Sequence, residues 1–271
     1  MNSSILNNPW CTYVKENKHA KVKLFCFHHA GGRAMLFRDW QTMSRPEIQI
    51  IPVELPGRGS RLREDFFVQL QPLVSQLADT LQPFNDKPFA FFGHSMGALI
   101  SFELARYLRY KNRNMPAHIF ISAHRAPHLP QTHEPYYKLP ENIFLKKLQE
   151  ISGTPSEVLD NPEFLELLLP IIRADFEICD TYHYHQERPL NCPITVFGGK
   201  QDPVVSASLL PQWEIHTANK FEFYAFHGHH FYIHQAQQLI VEIIGHKLKK
   251  CWSDEIGPKS EYGRKCATLE S

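Results

Sequence analysis

Five residues constrain this chain more than any others. Gly93-His94-Ser95-Met96-Gly97 lies between an apolar run, Pro88-Phe89-Ala90-Phe91-Phe92, and a helical pattern from Ala98 to Ala105. A strand that runs into such a segment and a helix that leaves it demand a sharp turn, which a glycine on either side lets the backbone make. The serine hydroxyl then projects from the carboxyl end of the strand. Behind it stands a helix N-terminus, which favours developing negative charge. Ser95 is therefore a candidate nucleophile. A bare Gly-x-Ser-x-Gly arises by chance, and the flanking strand and helix patterns are what give this one weight.

The rest of the chain supplies a scaffold for such a turn. Apolar runs at Lys21–Phe27, Ile48–Leu55, Ala117–Ala123, Pro193–Phe197 and Lys220–Phe226 read as strands. Helical spacing at Phe66–Phe84 and from Gln235 to about Lys250 alternates with them. This alternation predicts an α/β fold with a mostly parallel central sheet covered by helices on both faces, in which ligands bind beyond the carboxyl ends of the strands. With 271 residues, 43% of them hydrophobic, one domain over residues 1–250 is expected. Between about His128 and Pro189 the strand signals stop. Helical patterns at Asn142–Ile151, Ser156–Leu159 and Pro162–Asp180 predict an inserted helical lid there. The segment 251–271 is polar, carries Gly257-Pro258 and Gly263, and reads as a flexible extension.

Composition excludes several function classes. Lys and Arg total 29 against 28 Asp and Glu, so no global charge favours nucleic acid or an anionic membrane. No basic start with an apolar core opens the chain, and no apolar run is long enough to cross a bilayer, so a cytoplasmic protein is expected. The six cysteines form no Cys-x-x-Cys pair, which argues against a zinc ribbon or a disulfide scaffold.

An activated serine needs a base within hydrogen-bond reach and a carboxylate to orient that base. Where the nucleophile sits on a strand-to-helix turn, they follow it in the order Asp or Glu, then His. Asp202, in Phe197-Gly198-Gly199-Lys200-Gln201-Asp202-Pro203, comes directly after an apolar strand and would stand at the sheet edge that holds Ser95. The loop after the last strand offers four histidines, His227, His229, His230 and His234, and the residues alone do not choose among them. Their spacing also permits a metal site, which His28, His29, His183 and His185 would enlarge. Yet the chain has no His-Glu-x-x-His helix and no acid in the cluster, so no metal is expected. An oxyanion needs backbone N–H donors. The first strand ends in His28-His29-Ala30-Gly31-Gly32, which makes Ala30 one candidate donor, and the residue after the nucleophile, Met96, is the other.

Several motifs carry a resemblance. They are Cys26-Phe27-His28-His29-Ala30-Gly31-Gly32 with Phe37-Arg38-Asp39-Trp40, then Glu54-Leu55-Pro56-Gly57-Arg58-Gly59-Ser60-Arg61, then the Ser95 turn. Further on come Gly153-Thr154-Pro155-Ser156-Glu157-Val158-Leu159, Leu168-Leu169-Pro170-Ile171-Ile172-Arg173-Ala174-Asp175, Gly198-Gly199-Lys200-Gln201-Asp202 and Gly228-His229-His230-Phe231-Tyr232. Together they resemble the type II thioesterases of nonribosomal peptide and polyketide synthesis, a family of the α/β-hydrolase fold that includes medium-chain acyl-carrier thioesterases. The resemblance spans roughly residues 10 to 247.

It implies Ser95 as nucleophile, Asp202 as orienting acid and His230 as base, with the Ala30 and Met96 amides as the oxyanion hole. It also implies a monomeric hydrolase that cleaves acyl groups from the phosphopantetheine arm of an acyl or peptidyl carrier protein, with no cofactor of its own. Two positions depart from the family, which usually has proline at His28 and often an acid or glycine at His229. The triad alone also suits an acyl-CoA thioesterase or a carboxylesterase, and a catalytically silent carrier-binding protein is the remaining alternative.

Other features have plainer readings. Gly57-Arg58-Gly59-Ser60-Arg61 lacks both the Walker spacing and the dinucleotide fingerprint and is expected to be a structural turn. Arg106, Arg109, Lys111 and Arg113 complement a helix C-terminus, with an acidic carrier protein as their functional alternative. Apolar residues at helical spacing in the lid pack it onto the body, and Leu148 and Leu168 are expected to line an acyl channel.

Overall fold

The computed structural model describes residues 5–84, 86–151 and 162–253. Six strands, β1 (Val22–Phe27), β2 (Ile48–Val53), β3 (Phe89–His94), β4 (Ile119–Ser122), β5 (Ile194–Gly199) and β6 (Phe221–Phe226), form one sheet in the order β2-β1-β3-β4-β5-β6. All five ladders are parallel. Parallel neighbours need crossovers, and helices on both faces explain why the strands read as continuous apolar runs rather than as alternating ones.

The faces divide by parity. Phe25, Phe27, Phe89, Phe91, Ile119 and Ile121 point into one core, while Leu24, Cys26, Ala90, Phe92 and Phe120 point into the other. The first core is covered by α2 (Leu70–Leu81) and α3 (Met96–Tyr110), the second by α1 (Trp40–Met43) and α6 (Ile233–Leu248). Each fully buried phenylalanine contributes about 1.5–3 kcal/mol relative to an exposed one.

Between β4 and β5 the described residues hold two longer helices, α4 (Glu141–Glu150) and α5 (Pro162–Asp180). Phe144 and Leu148 of α4 meet Leu169 and Ile172 of α5 in a small cluster separate from both sheet cores. The expected Ser156–Leu159 helix and residues 254–271 lie outside the described residues. No described helix is long and apolar enough to cross a membrane.

One helix boundary differs from the sequence reading for a physical reason. The helix expected over Phe66–Phe84 begins at Leu70 and tightens to a 3-10 turn at Gln82–Phe84. Pro72 sets that start, because proline lacks an N–H and is tolerated only in the first helical turn. Ala207–His216 forms a 3-10 helix capped by Ser206, whose hydroxyl accepts from the Ser208 N–H.

Candidate active site

The strand order reverses between β1 and β3, and the crevice above that point is where an open parallel sheet binds ligands. Ser95 sits there at the end of β3, with φ 55° and ψ −115°, a backbone conformation that costs on the order of 1–3 kcal/mol for a residue with a side chain. Its N–H donates to the Ser122 carbonyl of β4 at 2.8 Å, which helps hold the strained residue.

The flanking glycines act differently from the sequence reading. Neither Gly93 nor Gly97 takes a positive φ. They are needed for close approach: a Cβ on Gly93 would lie 1.9 Å from the Gly97 carbonyl oxygen, and one on Gly97 would lie 2.1 Å from the Phe27 carbonyl oxygen of β1. Serine takes the strained angles, while the glycines let α3 press against both strands.

His230 Nε2 lies 3.0 Å from Ser95 Oγ, and His230 Nδ1 lies 2.9 Å from Asp202 Oδ2. With Nδ1–H donating to the Asp202 carboxyl group, the Nε2 lone pair faces the serine hydroxyl. The second carboxylate oxygen, Oδ1, accepts from the N–H groups of Val204 at 2.8 Å and Val205 at 3.1 Å. The Asp202 side chain is fully buried and that of His230 nearly so. His94, beside His230 with ring centroids 5.6 Å apart, is held neutral because burial lowers its pKa well below the usual histidine range. It therefore adds no repulsion when His230 takes a proton.

The backbone places the four histidines of this loop differently. The Gln201 N–H donates to the Gly228 carbonyl at 3.0 Å, and the Gly228 N–H donates to Gln201 Oε1 at 2.6 Å. These bonds join the two loops and turn His229 outward, where its Nδ1 lies 2.9 Å from the Gln201 carbonyl oxygen. His227, His229 and His234 are exposed, and His230 alone of the four is buried.

Ala30 and Met96 both border a cavity of about 300 Å³ that also contains Ser95 and His230. Met96 opens α3, so its N–H is among those with no acceptor inside the helix. The Ala30 turn is held from two sides. The Gly31 N–H donates to Asp175 Oδ2 of α5 at 2.7 Å, and the Gly32 N–H donates to the His29 carbonyl at 2.9 Å. Asp175 in turn receives both guanidinium arms of Arg58, at 2.6 and 2.8 Å, in an ion pair whose side chains are 4% and 1% exposed.

Leu148 and Leu168 stand in the wall of the same cavity. That wall is not wholly apolar. Arg125 and Asp180 also reach it, and burial lowers the arginine pKa from its ordinary value and raises that of the aspartate. Cys179 lines it too, but burial pushes its thiol pKa up, which keeps it a poor nucleophile. Among the described residues no group of three or more His, Cys, Asp and Glu is placed to hold a metal ion.

The sequence reading missed Asp175, Arg58 and the two valine amides that hold Asp202. For Asp175 a signal existed. It follows Leu168 and Ile172 on the apolar stripe of α5, and a carboxylate on a buried stripe requires a buried partner.

Residues 22–248 match the thioesterase domain family. Linear gramicidin dehydrogenase LgrE of Brevibacillus parabrevis is 44% identical over 89% of this chain and 92% of its own. Gramicidin S biosynthesis protein GrsT of Aneurinibacillus migulanus is 40% identical over 89% of this chain and 94% of its own. Among solved structures, the RedJ thioesterase of the prodiginine biosynthetic pathway in Streptomyces coelicolor superposes with a TM-score of 0.80. It is 32% identical, covering 86% of this chain and 88% of that one.

Proposed function

The chain belongs to the thioesterase family, and we propose from that premise that it hydrolyses acyl groups held as thioesters on the phosphopantetheine arm of a carrier protein. It would do so as a separate type II enzyme serving a synthase of nonribosomal peptides or polyketides. Relatives named for gramicidin S biosynthesis and for the prodiginine pathway support that setting. The reading includes a cytoplasmic monomer with no cofactor of its own, the phosphopantetheine arriving on the partner. The helices between β4 and β5 serve in it as a lid over the acyl chain.

The observation that carries the reading is the buried relay from Asp202 through His230 to Ser95, with distances of 2.9 and 3.0 Å, at the edge of a cavity. His230 Nε2 takes the Ser95 proton as Oγ attacks the thioester carbonyl carbon, and the Ala30 and Met96 N–H groups receive the oxyanion. Collapse breaks the carbon–sulfur bond, and His230 returns the proton to the leaving pantetheine sulfur. Water, activated by the same imidazole, then releases the acid from the acyl-serine.

One relative bears the word dehydrogenase in its name. A dinucleotide site would need Gly-x-Gly-x-x-Gly between the first strand and a helix. Here β1 runs into His28-His29-Ala30-Gly31-Gly32 and a 3-10 turn at Ala34–Phe37, so the sequence offers no such cradle.

The test compares one acyl group on carrier protein, on coenzyme A and on nitrophenol. The reading expects the highest kcat/KM on the carrier and loss of all three activities in Ser95→Ala. Equal or higher kcat/KM on acyl-CoA or the nitrophenyl ester would assign a general acyl hydrolase instead. Failure of a serine-reactive phosphonate to label Ser95 would favour a silent binding protein.

A further inference from the structure

We propose that Asp175 and Arg58 are positioning residues for the oxyanion site: Asp175, steadied by Arg58, fixes the Ala30–Gly31 peptide and, through the turn that this peptide centres, holds the adjoining His29–Ala30 peptide so that the Ala30 N–H stays where the oxyanion forms. The inference rests on the hydrolase reading above, and it concerns any acyl ester or thioester attacked by Ser95.

The turn His29–Gly32 closes through the Gly32 N–H to the His29 carbonyl, with Gly31 at φ +71°. In turns of this kind the central peptide can flip, because two turn types differ mainly in its orientation. Here the central peptide is Ala30–Gly31, and both of its ends are tied. Its carbonyl lies 2.9 Å from His29 Nδ1, and its N–H donates to Asp175 Oδ2 at 2.7 Å. Burial lowers the His29 pKa to about 4, so the ring is neutral at physiological pH and Nδ1–H acts as the donor.

A carboxylate could hold this N–H only if its own orientation were fixed. Arg58 does this by donating from Nη1 to Oδ2 and from Nη2 to Oδ1, a bidentate geometry that leaves the carboxylate little freedom. Arg58 Nη1 also lies 3.4 Å from the Gly32 carbonyl, so the guanidinium touches the far side of the same turn. Helix α5 stands close enough that a Cβ on Gly31 would lie 2.8 Å from Ile172 Cγ1. The ion pair thus joins three segments distant in sequence: the turn after β1, the loop after β2, and α5.

A buried ion pair need not exist for stability, since apolar replacements of similar volume are often neutral or stabilising. Its value here lies in direction. A misplacement of about 1 Å in a group that acts on the reacting atoms can cost about 10²-fold in rate.

The experiment uses the full-length chain as Asp175→Asn and as the double variant Arg58→Met with Asp175→Leu, which leaves no unpaired buried charge. Turnover is measured on a carrier-bound hexanoyl thioester and on nitrophenyl hexanoate. Affinity is measured for a hexanoyl trifluoromethyl ketone, which adds to Ser95 as a tetrahedral oxyanion, and for a hexyl thioether of pantetheine, which cannot. The expected result in both variants is a kcat lower by about 10²-fold, with KM within about threefold. Affinity for the ketone should fall in parallel with kcat/KM while affinity for the thioether stays constant.

Wild-type turnover in the folded double variant would overturn the proposal. So would equal weakening of both inhibitors, which marks general loosening of the site. If wild-type enzyme cleaves the nitrophenyl ester but not the carrier thioester, the carrier reading fails and the ester data decide this proposal alone.

Discussion

The edge of the sheet that carries Ser95 and the helical layer that covers it are built by opposite means. At the edge, position is fixed by backbone in contact with backbone: Gly97 against Phe27, Gly93 against Gly97, and Gly199 against the carbonyls of Gly228 and His229. In α4 and α5 it is fixed by side chains, through the cluster around Phe144 and Ile172 and the ion pair of Asp175 with Arg58. Contacts between main chains admit no gradual adjustment, whereas packed leucines repack. The edge should therefore respond to substitution abruptly and the covering layer in small steps.

The largest effect expected on the edge is from Ser95→Ala and His230→Ala, each lowering turnover by more than about 10³-fold, since nucleophile and base act as a unit. Steady-state kinetics on one acyl thioester measures this, and substantial activity in either variant would break the contrast outright. Next is Gly97→Ala, whose Cβ would sit 2.1 Å from the Phe27 carbonyl oxygen. A loss of about 3 kcal/mol or more in urea unfolding is expected from overpacking that cannot relax. Full stability would show that the edge yields as the helices do.

In the covering layer, Leu148→Phe and Leu168→Phe should shift chain-length preference by about 1–3 kcal/mol per methylene-sized change, with the pH profile of kcat unaltered. Hydrolysis of acetyl, hexanoyl and longer acyl carriers reads this. An unchanged profile in both variants would place the acyl chain elsewhere.

Acid provides a smaller test. Burial lowers the pKa of His29 to about 4 and that of His124 to about 3, and both lie at the edge. The unfolded chain binds protons on these residues as pH falls below about 6.5, while the folded chain does not. Stability present at pH 7 is therefore lost progressively as pH falls from about 6.5 toward 4, by about 1–2 kcal/mol per histidine at pH 5. Urea midpoints that stay constant between pH 7 and pH 5 would contradict it. Smallest is His229→Ala. It removes one exposed hydrogen bond, so stability should change by less than about 1 kcal/mol and turnover should hold. An inactive His229→Ala beside an active His230→Ala would mean that the neighbouring imidazole is the base.

What was legible in the sequence follows the same division. Ser95 and Asp202 could be placed because each directly follows an apolar strand, so local pattern fixed their sheet edge. His230 could not be told from its three neighbours by residues alone, because the choice depends on hydrogen bonds between loops 27 residues apart in sequence, as in Gly228 to Gln201. The glycines around Ser95 were legible as necessary but not for the right reason, since φ values and close approaches are three-dimensional quantities. Arg58 was legible as a turn residue and Asp175 as a carboxylate on a buried helical stripe, but not as each other's partners. Their pairing spans 117 positions, and no local period encodes it.

The angles at residue 95 bear on which nucleophiles this scaffold accepts. At φ 55° a side chain unbranched at Cβ is tolerated, but a β-branched one is a genuine outlier. Cysteine could replace serine without moving the main chain, exchanging a hydroxyl for a thiol at one fixed point in space. Threonine, chemically the nearer relative, could not, because branching at Cβ is disfavoured at this positive φ. The turn thus selects among nucleophiles by the shape of their first carbon rather than by their reactivity.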